Sequence, residues 1–295
     1  MASSASATAL QSFSNDLATL VSSASRSVIG VHGQRSTTSG FAWRDGLVVT
    51  CEESLSDDGP YEIMLPGGDK VSATLVGRDP STDVAVLRHE ARELALAPLT
   101  TTSPAAGSLI VAVGSYDGAP SAYLGLVAHV SGPWRAMRGG EIDARIDLDQ
   151  QLGRSAEGGL ALDTSGNALG MVVFGPRHRS LVMPAATIER AAGSLAQHGR
   201  IARGYLGAGL LPVRVEGEET AGIMVTSVDP KGPAAAAGLR QGDILVAWND
   251  QPMRPMLQML RDLGPSSIGT VVQLTVKRAG ETREVSLTIG ERPAD

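Results

Sequence analysis

Cysteine is almost missing from the 295-residue chain, where Cys51 stands alone. An internal disulfide is therefore impossible, and a cysteine-rich metal centre is excluded. Aromatic residues make up only 3% of the sequence, so its cores must be filled by Val, Leu, Ala and Ile. Positive charge is also scarce. A formal net charge of -6 argues against a broad nucleic-acid or anionic-membrane surface. No apolar run is long enough to span a bilayer. The opening MASSASATALQSFSNDLATL lacks a basic stretch followed by an apolar core, so it does not read as a secretory leader. On that reading a complete chain is cytoplasmic, whereas a trimmed mature form is periplasmic.

Glycine, by contrast, is abundant at 35 residues and implies many turns. The length suits about two domains. Residues 1–8 are small and polar and are expected to be disordered. Leu10, Phe13, Leu17, Leu20 and Val21 then recur at helical spacing. That stripe serves either packing onto the next domain or subunit contact. From Ser27 to about Met183, short apolar runs alternate with Gly, Pro, Asp and Ser clusters. The runs include Val28–His32, Leu47–Thr50, Tyr61–Leu65, Val84–Leu87, Leu109–Val113 and Ala168–Phe174, a spacing that predicts an all-β barrel or sandwich. Pro184–Gly199 reads as a helix with glycine at its C-terminal end. Residues 204–291 form a smaller mixed module. Ile223–Val228 and Asp243–Trp248 read as strands, Pro233–Gly238 and Pro255–Leu263 as short helices. Val272, Leu274 and Val276, then Val285, Leu287 and Ile289, alternate with polar residues as half-buried strands.

The stretch Ile146–Leu162, IDLDQQLGRSAEGGLAL, has the shape of a segment that presents a nucleophile. An apolar strand is followed by a polar run, the Gly158-Gly159 pair and a second apolar strand. Paired glycines let a backbone turn where other residues resist, and N–H groups freed by such a turn can face an oxyanion. The position before the pair, where a serine would act, holds Glu157.

Three segments of the first module resemble the HtrA (Deg) family of trypsin-like serine proteases. Gly46-Leu-Val-Val-Thr50-Cys51-Glu52-Glu53 is similar to the segment that carries the family's histidine. Asp79-Pro-Ser-Thr-Asp83-Val-Ala-Val-Leu87 is nearly identical to the aspartate segment, and Ile146–Gly159 aligns without a gap with the serine segment. The second module is similar to a PDZ domain. Tyr205-Leu-Gly-Ala208 resembles its carboxylate-binding loop, and Val228–Leu245 its most characteristic segment. The resemblance implies a mainly β fold: a trypsin-like double β-barrel followed by a small α/β PDZ domain. It further implies an N-terminal segment at 1–26, a protease-fold domain at 27–200 and a PDZ domain at 201–295.

Carried over position by position, the triad falls on Glu53, Asp83 and Glu157, and only the aspartate matches. A carboxylate in the base position lacks the paired donor and acceptor nitrogens of imidazole. Loss of one such residue costs on the order of 10⁶ in turnover. The expectation is therefore a catalytically inactive relative, not an enzyme, that binds peptides or protein C-termini as a scaffold, adaptor or chaperone-like factor. One alternative is an active serine endopeptidase with a rearranged site, for which Ser155 and Cys51 are the candidate nucleophiles. A second is a carboxylate or metal site at Glu53, Asp83 and Glu157. Otherwise no metal and no cofactor is expected.

The same resemblance implies a peptide groove. Backbone N–H groups of Leu206, Gly207 and Ala208 would hold a C-terminal carboxylate beside Tyr205, with Arg203 adding charge. Met256, Met259 and Leu260 would form a tolerant side-chain pocket. The turn Pro176-Arg-His-Arg179 is either solvated or a contact point for an acidic partner. No nucleic-acid partner is expected, and the resemblance implies a possible homo-oligomer, a trimer.

Overall fold

The short apolar runs between residues 28 and 184 close into two six-stranded antiparallel barrels. The computed structural model describes residues 2–34, 36–55, 59–91, 94–136, 138–214 and 221–293. The first barrel is built from β1 (Val28–His32), β2 (Thr37–Arg44), β3 (Leu47–Thr50), β4 (Tyr61–Met64), β5 (Lys70–Asp79) and β6 (Val84–His89). Its order is β1-β2-β3-β6-β5-β4. The chain continues through β7 (Leu109–Tyr116) and β8 (Ala119–Ser131). A small ribbon pairs β9 (Trp134–Arg135) with β10 (Glu141–Ile142). The strands β11 (Arg145–Leu148), β12 (Leu160–Leu162), β13 (Ala168–Gly175) and β14 (Arg179–Pro184) follow. The second barrel runs β11-β14-β13-β12-β7-β8.

Each barrel fills its interior with branched aliphatics from alternate positions. Ile29, Val31, Val48, Ile63 and Leu87 occupy the first. Ile110, Val127, Ile146 and Val172 occupy the second. A third cluster lies between the barrels. Phe41, Val49, Val113, Leu160, Leu162 and Met171 meet Ile188, Ala191, Ala192 and Leu195 there. The last four belong to α2 (Ala185–His198), whose one apolar face is buried as its periodicity predicts. Gly199 closes this helix at φ 71°, its N–H reaching Leu195 O at 2.8 Å. Each large side chain so buried contributes roughly 1.5–3 kcal/mol.

The N-terminal helix differs from expectation. It begins at Ala2 and runs to Ala24 as α1, covering residues expected to be disordered. Alanine, the best helix former, sits at four of its first nine positions in the run ASSASATAL and offsets the serines. Leu17, Leu20 and Val21 pack on the inter-barrel cluster. Leu10 and Phe13 are left 70% and 42% exposed.

By contacts the chain divides into two units, Met1–Ala136 with Glu141–Ile201 and Met137–Gly140 with Ala202–Asp295. In the second unit β15 (Gly204–Tyr205) leads to β16 (Ala208–Arg214), β17 (Ala221–Val228), α3 (Pro233–Ala236), β18 (Ile244–Trp248) and β19 (Gln251–Pro252). Then come α4 (Met256–Asp262), β20 (Val271–Arg278), β21 (Glu281–Thr288) and β22 (Gly290–Glu291). The main sheet is ordered β16-β17-β18-β20-β21, so β16 is an edge strand. β20 and β21 alternate as expected, and the hairpin turns at Ala279-Gly280, both at positive φ.

The two adjacent glycines of unit one are dictated by packing. A Cβ on Gly158 would run into the Ser39 carbonyl oxygen, and one on Gly159 into that of Val113. Gly158 also sits at φ 78°. Gly158→Ala should therefore destabilise the fold by more than about 1 kcal/mol. In thermal unfolding of the two variants side by side, Gly166→Ala should cost less, because nothing stands within 4 Å of its Cβ direction. An equal loss for both would disprove the close-approach account.

Candidate functional site

The carboxylates of the expected triad positions come together. The turn after β3 carries Glu52 and Glu53, and the turn before β6 carries Asp83. Asp83 adopts φ 56°, a conformation short polar residues tolerate. Its Oδ1 accepts the Glu53 N–H at 2.8 Å. The Asp79-Pro-Ser-Thr segment shapes this turn, because Asp79 accepts from Ser81 N–H and Oγ and from Thr82 Oγ1. Glu157 follows a short 3-10 turn, Arg154–Ala156, which its N–H closes on Arg154 O at 3.1 Å. In this conformation that amide is spent on the turn.

Burial and mutual repulsion govern these groups. Burial raises the Asp83 carboxyl to about 7, with Glu53, Glu157 and Glu52 adding repulsion against the relief given by the Glu53 N–H. Glu157 is raised as well. Burial is again the main cause, and the Ser54 hydroxyl, Arg154 and His178 partly offset it. Cys51 is fully buried, and desolvation with Asp83 and Glu157 nearby pushes its thiol well up. A raised, buried thiol is a poor nucleophile.

Glu53 and Glu157 open onto a cleft of about 560 Å³ with Ser36, Thr37, Ser54, Arg154, Phe174, Gly175, Arg177 and His178. Sequence reasoning missed Ser54, and it left His178 in a turn of uncertain role. No pattern announces either. His178 reaches the cleft because Arg177 and His178 both adopt positive φ, 61° and 55°. Ser155, the other candidate nucleophile, is not among the cleft residues. Its hydroxyl lies 2.8 Å from Tyr123 Oη. Among the described residues no group of three His, Cys, Asp or Glu side chains converges to hold a metal ion, so the cation alternative gains no support.

In the second unit the loop Tyr205–Gly207 leads into the edge strand β16. Among the described residues the N–H groups of Leu206 and Gly207 donate to no acceptor, whereas their carbonyls accept from Ala234 and Asp229. Gly207 sits at φ 75°, and a Cβ there would crowd Gly232 and Pro233. Tyr205 Oη donates to Asp229 Oδ2 at 3.1 Å. Arg203 donates to Arg138 O at 3.2 Å. The side chains of the expected pocket divide. Leu260 is 44% exposed and Met256 half-buried, but Met259 is 3% exposed and packs in the core with Leu206. Met259 instead borders a separate hollow beside Trp248, Met253 and Arg254. Ala208 begins β16 opposite Val228. Pro212, in the middle of β16, has no N–H to offer.

The raised carboxyls fix a pH response. The folded chain keeps the Asp83 proton where the unfolded chain has released it, so this stability is complete below about pH 4 and is lost as pH rises through about 7. Asp83→Asn preserves an acceptor for the Glu53 N–H and removes the titration. Its Tm relative to wild type should rise steadily between pH 4 and 8. A difference that stays constant across that range would contradict the burial of this carboxyl.

Comparison with known proteins agrees with this geometry. Residues 38–171 match the family of trypsin-like peptidase domains, and residues 204–289 match the PDZ domain. A probable periplasmic serine endoprotease, DegP-like, from Bartonella henselae is 28% identical over 86% of this chain and 53% of its own length. One of the same name from Brucella suis is 29% identical over 85% of this chain and 52% of its own. The chain thus spans about half the length of these relatives. The crystal structure of a serine endoprotease from Yersinia pestis superposes with a TM-score of 0.69 at 25% identity, covering 94% of this chain and 98% of that one. The HtrA-type protease AlgW with decapeptide shares the fold, with a TM-score of 0.69 at 21% identity over 95% and 99% of the chains. Two expectations are corrected. The chain was expected not to be an enzyme because two triad residues are missing. Relatives named serine endoproteases match most of it, so that departure does not establish a loss of activity. The cytoplasmic expectation is likewise unsupported, because the relatives are named periplasmic. No helix among the described residues is long and apolar enough to cross a membrane. The chain is similar to the HtrA and DegP-like serine proteases, and its mainly β fold sets a trypsin-like double barrel before a PDZ domain.

Proposed function

We propose that the protein is an HtrA-type serine endopeptidase with a rearranged active site, which captures free polypeptide ends through its PDZ unit and works in the periplasm. The observation that carries the capture is the pair of unpartnered N–H groups at Leu206 and Gly207, at the head of an uncovered edge strand. Two such donors suit a terminal carboxylate, and the open edge suits an extended tail added as a further strand. AlgW was solved with a decapeptide, which supports a peptide ligand here.

The hydrolytic part rests on the relatives' names and on Ser54. This hydroxyl lies in the cleft and acts on the Glu157 carboxylate, whose pKa is raised. A hydroxyl beside a carboxylate of raised basicity supplies a nucleophile and its base. In this reading Glu157 accepts the Ser54 proton as Oγ attacks a peptide carbonyl, then returns that proton to the departing amine.

Fluorescence anisotropy of labelled peptides on the full chain tests the capture. Amidating the C-terminus should weaken binding at least about tenfold, or about 1.4 kcal/mol; equal affinity for the acid and the amide would rule it out. A fluorophosphonate probe, with casein hydrolysis alongside, tests the chemistry. Wild type and Ser155→Ala should be labelled and active, and Ser54→Ala neither. A wild-type chain that is folded, unlabelled and without turnover would end the hydrolytic reading and leave the capture standing.

A further inference from the structure

Two guanidiniums and an imidazole gather at the barrel cleft, where Arg154 and His178 lie near enough to Glu157 to lower its proton affinity. Arg154, Arg177 and His178 all line the cleft, and among the described residues none of their side chains takes part in a hydrogen bond or close ion pair. Several other basic side chains of this unit are matched, although those of Arg26 and Arg88 also take part in no hydrogen bond or ion pair among the described residues. Arg145 and Arg179 hold Asp147 at 3.1 Å, Arg190 holds Asp143 at 2.6 Å and Arg44 holds Glu189 at 3.0 Å. The acidic members of the cleft are Glu53 and Glu157. Two guanidiniums and an imidazole thus share the cleft with two carboxylates. Phe174 supplies an apolar wall. The backbone also departs from ordinary conformations here, since Arg177 and His178 are adjacent non-glycine residues at positive φ. Such strain, of order 1–3 kcal/mol per residue, persists only where the surroundings enforce it.

We infer that the barrel cleft selects polypeptide segments that carry an acidic side chain, with Arg154 and Arg177 pairing its carboxylate and His178 beside them. The inference rests on the reading above that unit one holds extended polypeptide, and it adds the class of residue held. Guanidinium suits the task, because its fork of N–H donors matches the two oxygens of a carboxylate. Arg179, two residues along the same turn, is already taken by Asp147 and fixes the base of the hairpin.

The test uses the full chain and two peptides, acetylated and amidated at their ends and differing only by a central Glu or Gln. Closing both ends removes the terminal carboxylate that the Leu206–Gly207 loop would take. Binding read by calorimetry should favour the Glu peptide about tenfold, the scale of one charge-assisted contact. That preference should shrink as salt is raised. In Arg154→Gln/Arg177→Gln, matched to wild type by thermal unfolding, the two peptides should bind alike, and Arg177→Lys should restore part of the preference. Equal affinities on wild type, a preference that survives the double substitution, or no binding of either peptide would overturn the inference. Capture of a peptide with a free C-terminus, measured on the same samples, shows separately whether the PDZ reading holds.

Discussion

The trypsin-like unit depends on one small side chain between its barrels, Ser39. Its N–H donates to Glu157 O at 2.9 Å, and its Oγ donates to Ser155 O and accepts the Ser115 N–H, both at 2.8 Å. Its carbonyl accepts from Thr50 Oγ1 at 2.6 Å. Strand β2 of the first barrel is thereby bound to the loop before β12 and to β7 of the second. Ser39 is fully buried, and a buried polar group left unpaired costs about 1–3 kcal/mol. Gly158 and Gly159 let the second barrel come this close. The glycine pair that reads as an oxyanion turn is thus also the hinge pin of the fold.

That junction sets where the acidic groups lie. Thr38 and Ser39 clamp the Glu157 carbonyl, so its side chain is delivered into the cleft that Glu53 also borders. Asp83, on the turn before β6, lies behind Glu53 and accepts its N–H. The carboxylates are consequently gathered by the backbone frame and not by attraction to one another. Their proximity raises the proton affinity of the buried members, and the nearby Arg154 and His178 moderate it. Charge in this cleft is a balance between a fixed acidic floor and a basic turn.

Much of the fold was legible from residue patterns. The period-two alternation of Val272, Leu274 and Val276, the helical face of Ile188, Ala191, Ala192 and Leu195, and the Gly199 cap all appear in the structure as the chemistry of those residues dictates. Strand β2 has no apolar signature, because it opens on Thr37-Thr38-Ser39-Gly40, where the burial of Thr38 and Ser39 follows from tertiary bonds. The serine run at 3–6 suggested disorder, yet the alanines between continue α1. At the site, Glu53, Asp83 and Glu157 were located by alignment to a known pattern. Ser54, Arg154 and Arg177 were not, since only the folded turns bring them to one cleft. Met259 was assigned to a pocket, but helix α4 turns it inward among Leu206 and Leu263.

Pro212 gives the open edge of the second sheet a definite length. A strand laid against β16 meets the backbone groups that alternate residues between Ala208 and Leu211 turn toward that edge, and then a ring nitrogen with no hydrogen to give. Proline is tolerated in a sheet where its nitrogen faces away from the neighbouring strand. The gap therefore falls on the side a newcomer would use. In the proposed capture, ladder pairing would therefore register only the last few residues of a tail.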